Sequence, residues 1–106
     1  MEGDSMSEMQ EVCSVDEIPE GGSKVVDLGD KEIALFNIKG EIYATNNACP
    51  HRQGPLGEGE LQGNIITCPF HRWQFDVTTG QSVFPPGQQV ACYNVEIRGD
   101  KVFVQG

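Results

Sequence analysis

The sequence predicts an all-β domain, on three observations. Thirteen glycines and six prolines are spread over 106 residues, so chain reversals are frequent. The apolar residues fall in short alternating runs rather than long helical stripes. Several of these runs are separated by two-residue links rich in Gly, Asp and Lys, the composition of tight hairpin turns. Length bounds the rest: 106 residues make one domain with one modest core.

Taken in order, residues 1–10 are acidic and polar and are expected to be a flexible tail, with Met6 as an alternative start and Met1 to Ser5 then of vector origin. The domain is expected over 11–106. Val15-Asp16-Glu17-Ile18-Pro19 suggests a single helical turn, ended by Pro19. Alternation predicts strands at 23–28, 32–38 and 41–45, linked by Gly29-Asp30 and Lys39-Gly40. The second is apolar almost without interruption from Ile33 to Ile38, which predicts burial on both faces at its middle. A Gly/Pro-rich excursion from Arg52 to Glu60 follows, then a short strand at 64–67 that runs straight into Cys68. Another strand is expected at 73–77, closed by Asp76 with Thr79-Gly80. Phe84-Pro85-Pro86-Gly87 is an irregular stretch. The chain finishes as a hairpin, 93–98 and 101–105, turning at Gly99-Asp100.

Sixteen acids against seven bases give a formal charge of −9. Nucleic acid and anionic membranes are therefore poor partners, since binding phosphate requires Lys and Arg. A protein partner with a basic face fits better. No run approaches the roughly 18 apolar residues of a membrane span, and no basic start leads into an apolar stretch, so a cytoplasmic protein is expected. Cys13 and Cys92 lie near opposite ends of the domain. Buried thiols are the expectation, with a disulfide between terminal strands as the alternative.

The chemistry concentrates in two cassettes, Cys49-Pro50-His51 and Cys68-Pro69-Phe70-His71, with sixteen residues between His51 and Cys68. They hold both histidines of the chain and two of its four cysteines. One thiolate and one imidazole from each loop suit an iron–sulfur centre in which His replaces Cys on one iron. Two Cys and two His also satisfy a structural zinc ion, so ligand identity alone leaves zinc open. Common zinc spacings pair like with like, whereas each pair here is mixed, which favours iron. The prolines stiffen each loop and remove one N–H, while other loop amides remain free to donate to sulfur. Gly54 and Gly57 would let the backbone approach closely.

These cassettes resemble the Rieske family, whose pattern is Cys-x-His, a spacer of this length, then Cys-x-x-His. The resemblance extends over about residues 12–104. It implies an antiparallel β-sandwich with a smaller cluster-binding subdomain of two ligand loops, shielded by a proline-bearing third loop. It also implies a [2Fe–2S] cluster held by Cys49 and Cys68 on one iron and by His51 and His71 on the other. Two neutral imidazoles in place of two thiolates leave the cluster less negative and raise its potential. Respiratory members add a cysteine to each ligand loop. Gln53 and Phe70 stand at those positions, so no such staple is expected. Those members also follow the second His with Gly-Ser-x-Tyr, whose hydroxyls donate to the cluster and a ligand sulfur. Here the segment is Arg72-Trp73-Gln74-Phe75, without either hydroxyl, which predicts a potential near the low end of the Rieske range, about −150 mV.

Other residues have two readings each. Trp73 is a wall beside the cluster or core beneath the second loop. Arg52 and Arg72, each following a ligand His, steer an acidic partner or pair with Glu58 and Glu60. Glu58 and Glu60 are a solvated loop or a docking face for a basic partner. The resemblance implies a one-electron carrier rather than an enzyme. It would accept electrons from an NAD(P)H-dependent flavin reductase and pass them to a terminal, aromatic-ring-hydroxylating oxygenase. A monomer is expected. The alternative from another class is a small Rieske-like subunit of an assimilatory nitrite reductase, although small subunits of that kind often lack the four ligands.

Overall fold

A computed structural model describes residues 9–29, 31–47, 55–70, 72–84 and 86–105. All regular structure among them is β, apart from single 3-10 turns at Val15–Glu17 and Leu56–Glu58. The strands are β1 (Gln10–Ser14), β2 (Ser23–Leu28), β3 (Lys31–Ile38), β4 (Glu41–Asn46), β5 (Glu60–Gln62), β6 (Ile65–Thr67), β7 (Gln74–Asp76), β8 (Ser82–Phe84), β9 (Cys92–Arg98) and β10 (Lys101–Gln105). They form a six-stranded sheet in the order β1-β10-β9-β4-β3-β2 and a four-stranded sheet in the order β5-β6-β7-β8. Every pairing is antiparallel. The smaller sheet is an insertion between β4 and β9. Its two ends meet where Thr45 pairs Cys92 and the Asn46 amide donates to the Ala91 carbonyl at 2.8 Å.

Turn chemistry sets the register of the β2–β3–β4 meander. Leu28 pairs Lys31 and Ile38 pairs Glu41, so each link is two residues long. Lys39 and Gly40 both take positive φ, 55° and 91°, the conformation whose twist matches the flanking strands. The Asn37 side chain reinforces that turn, accepting from the Gly40 amide at 2.9 Å and donating to the Ile18 carbonyl at 2.8 Å. This polar residue is buried at 6% exposure because both ends of its amide are satisfied.

The unbroken apolar run of β3 has a direct structural reason. Successive strand residues point to opposite faces. Ile33 and Leu35 enter a core with Val26, Leu28, Ile42, Ala44, Val102 and Val104. Ala34 and Phe36 enter a second core with Leu56, Ile66, Cys68, Phe75, Val77 and Val90. β3 is thus the wall shared by the large sheet and the inserted one. Removing the fully buried Phe36 ring would leave a cavity at that junction, at about 3–5 kcal/mol.

Strands 23–28 and 101–105 lie where the sequence predicts them, and the others agree to within a residue at either end. Three strands were not expected. β1 begins at Gln10, one residue before the expected domain start, and pairs β10 through a bulge between Glu11 and Cys13. That irregularity breaks the alternation by which a strand is recognised. β5 and β8 are three residues each, too short for periodicity to declare, and Gly63 at φ 60° turns β5 into β6. No disulfide joins Cys13 and Cys92, which are both free. Cys13 is buried as expected. Cys92 is exposed, a correction, because it opens the outer stretch of β9.

Candidate metal centre

Of the four expected ligands, Cys68 lies among the described residues; Cys49, His51 and His71 lie outside them. Among the described residues, therefore, no three metal-binding side chains come together.

Cys68 follows β6 directly at zero exposure, with its side chain in the second core beside Leu56, Ile66 and Phe75. The second cassette is clamped at its base. Thr67 pairs Gln74, the Cys68 amide donates to the Trp73 carbonyl at 2.7 Å, and the Arg72 amide donates back to the Cys68 carbonyl at 2.9 Å. Arg72 adopts φ 61°, a left-handed backbone that costs a non-glycine residue about 1–2 kcal/mol. The hydrogen bond to Cys68 holds it there, so strain sits one residue beyond a candidate ligand. Trp73 is half-buried against the second core, its ring centroid 6.4 Å from that of Phe75 and tilted by 40°. That matches the reading of Trp73 as core beneath the loop.

The stretch containing Cys49 and His51 is clamped at its feet by Asn47, a residue the sequence reading passed over. Asn47 is buried at 4% exposure. Its carbonyl accepts from the Leu56 amide and its Oδ1 from the Gly57 amide, each at 2.7 Å. Its own amide donates to the Glu32 carbonyl at 2.9 Å, and Nδ2 to the Glu32 carboxylate at 3.1 Å. Ser23 adds a hydroxyl bond to the Gly57 carbonyl at 2.6 Å. The available signal was an Asn at a strand end just before the cassette, a residue that readily bonds nearby backbone.

Glycine permits two close approaches here. A Cβ on Gly57 would collide with the Val25 side chain, and a Cβ on Gly59 with the Thr67 carbonyl oxygen. Close approach was expected at Gly57 and is found there; Gly54 lies outside the described residues. Gly59 was not singled out, yet it presses the chain entering β5 against Thr67, the residue that leads into Cys68. Beside this junction is a cavity of about 420 Å³ lined by Glu58, Gly59, Glu60, Thr67, Cys68, Pro69 and Arg72. Glu58, Glu60 and Arg72 are exposed, and no ion pair joins Arg72 to either carboxylate among the described residues. Asp76 closes the β7–β8 turn as expected, its Oδ1 accepting from the Thr78 amide at 2.9 Å and from the Thr78 hydroxyl at 2.6 Å.

The donor set suits a two-iron cluster. Cys68 is a buried thiol with no disulfide partner, placed at the clamped base of the second loop. A domain of two antiparallel sheets, the smaller one inserted and carrying the buried Cys68 just past its β6 strand, is a candidate cluster-binding β domain. The Rieske [2Fe–2S] domain model matches residues 8–94. The chain belongs to that family, and its cofactor is a Rieske-type [2Fe–2S] cluster. It is 43% identical over 89 residues to the ferredoxin component of the naphthalene 1,2-dioxygenase system of Pseudomonas aeruginosa, covering 83% of this chain and 86% of that one. It also matches a chain in a solved complex of reduced oxygenase and oxidized ferredoxin in carbazole 1,9a-dioxygenase, with TM-score 0.83, 31% identity, and coverage of 89% of this chain and 98% of that one. A Mycobacterium tuberculosis protein described as an NADH-dependent nitrite reductase small subunit matches with TM-score 0.83 at 21% identity, covering 92% and 93%, which carries the fold alone.

Proposed function

We propose that this protein is a one-electron carrier, the ferredoxin component of a multicomponent oxygenase system, delivering electrons to a terminal oxygenase. The observation that carries the reading is Cys68, fully buried just past β6, where Gly59 packs on Thr67 and the Cys68 and Arg72 amides close the base of the second loop. The ligands are Cys49, His51, Cys68 and His71, with one cysteine from each loop on one iron and one histidine from each on the other. When bound, the cluster stores a single electron. The chain's own residues hold that centre still. Asn47 and Ser23 fix the feet of the first loop to β2 and β3, and the Cys68–Trp73 and Arg72–Cys68 bonds fix the second. Rigid attachment limits rearrangement on electron transfer, which is the protein's share of the chemistry.

The 43%-identical naphthalene-system ferredoxin supports an aromatic-ring-hydroxylating oxygenase as the acceptor. An NAD(P)H-dependent flavin reductase is the donor in this reading, and a cytoplasmic monomer is the working form. Among the described residues, no helix is long and apolar enough to cross a membrane. Glu58 and Glu60, exposed beside Cys68, serve as the docking carboxylates for a basic partner. The test is reduction with dithionite, an EPR spectrum with iron and acid-labile sulfide analysis, then reconstitution with a reductase and a naphthalene oxygenase component. Two irons and two sulfides per chain, with product formation that depends on this protein, are expected. Zinc in place of iron, or turnover without the protein, refutes the proposal.

A further inference from the structure

The large hydrophobic side chains most open to solvent, among the described residues, are Phe70 at 60%, Phe84 at 58%, Val83 at 51% and Ile97 at 43%. Three of these four border one end of the small sheet. Phe70 lies within the second cassette, in the loop that closes β6 to β7. Phe84 pairs Gln74, which pairs Thr67, so Phe84 stands two strands from the residue before Cys68, roughly 10 Å at the usual strand spacing. Ile97 lies apart, near the Gly99 turn at the far end of β9.

A specific backbone feature displays this pair. The β7–β8 register runs from Gln74↔Phe84 to Phe75↔Ser82, which leaves Val83 as an extra, unpaired residue. An ordinary strand would turn one of two successive side chains into the core. The bulge instead leaves both Val83 and Phe84 facing water. Exposing three large apolar groups around one loop does nothing for the fold. It makes a contact surface.

We propose that Phe70, Val83 and Phe84 form the apolar contact by which this carrier recognises its terminal oxygenase, separate from the carboxylates Glu58 and Glu60. The inference rests on the electron-carrier reading above. The occupant follows from position and charge. An acceptor must approach the loop that supplies Cys68, and whatever does so covers Phe70. A second copy of this chain is disfavoured, because it would bring another −9 charge, with its own Glu58 and Glu60, to the same place. A solved relative at 31% identity comes from a ferredoxin–oxygenase complex. The two parts of the surface have different jobs. Carboxylates set the rate of encounter and its salt dependence, whereas desolvated aromatic groups set how long the complex lasts.

The experiment follows reoxidation of dithionite-reduced protein by the oxygenase component of a Pseudomonas aeruginosa naphthalene 1,2-dioxygenase system, in a stopped-flow instrument at low and high salt. For V83S/F84S, the oxygenase concentration giving half the maximal rate should rise about tenfold, equivalent to 1.4 kcal/mol, at both salt concentrations. The midpoint potential should match the wild type, and F70A should weaken the contact further. An unchanged half-saturating concentration with a working wild type overturns the docking surface and leaves the carrier reading intact. So does wild-type dimerisation in sedimentation velocity that V83S/F84S abolishes. A wild type that reduces no oxygenase component overturns both.

Discussion

Replacing Asn47 by alanine tests whether the cassette is held from its feet. The Oδ1 atom accepts the Gly57 amide at 2.7 Å in a site where Asn47 is 4% exposed. Alanine leaves that buried N–H without a partner, at about 1–3 kcal/mol. The half-buried Nδ2 bond to the Glu32 carboxylate is lost as well, adding about 0.5 kcal/mol. A total near 2 kcal/mol should lower the melting temperature by about 8–16 °C in a domain of this size. Urea and thermal melts followed by circular dichroism measure it. Iron release to a chelator, at a temperature where both proteins remain folded, should quicken in parallel, because the foot of the Cys49–His51 stretch loosens. Asn47→Asp retains the Oδ1 acceptor for the Gly57 amide but sets a second carboxylate against that of Glu32, so it should recover only part of the loss. An N47A protein within about 0.5 kcal/mol of wild type, releasing iron at the wild-type rate, would refute the clamp.

Gly59→Ala places a methyl group on the Thr67 carbonyl oxygen, so the two backbone segments must part. A fall in stability of about 3 kcal/mol or more and loss of bound iron are expected by melting and iron assay. Desolvation pushes two thiols above their usual pKa: Cys13, which is buried, and Cys92, which is exposed as a residue but tucks its sulfur beside Gly80 and 3.9 Å from the Val77 carbonyl. Each therefore contributes stability that is complete below the unfolded thiol value, about 8.5, and is lost as pH rises through the folded one. C13A/C92A should show a shallower alkaline decline of the urea midpoint than wild type between pH 8 and 10; equal slopes would refute the assignment. Burial of Cys13 also predicts that iodoacetamide labels Cys92 first, read by peptide mass. Without hydroxyl donors at Trp73 and Phe75, the midpoint should lie near −150 mV by EPR-monitored titration, at the low end of the Rieske range. A value above about +100 mV would contradict that inference.

Much of this molecule is legible in one dimension, wherever the information is local. Hairpin register follows from two-residue turns such as Lys39-Gly40, because only a few residues accept positive φ. The two faces of β3 follow from its unbroken apolar run, since a strand with a core on each side needs no polar alternation. The Cys/His cassettes name the cofactor because donor type and spacing are written in the chain itself. Strands β5 and β8 escape notice because three residues carry no period, and β1 because its bulge interrupts one.

The relation between the cassettes belongs to tertiary structure. Sixteen residues separate His51 from Cys68, and nothing in that interval announces that Gly59 must rest on Thr67, or that Asn47 must satisfy Gly57. The first is determined by the β5–β6 pairing, in which Glu60 faces Thr67, and the second by how the Leu56–Glu58 turn packs on β3 beside Ala34, Phe36 and Glu32. The exposure of Val83 beside Phe84 is likewise decided by a bulge that exists only once β8 has a neighbour to slip against. Chemistry could be read residue by residue because ligand identity is a local property. Placement could not, because it depends on packing between segments distant in the chain.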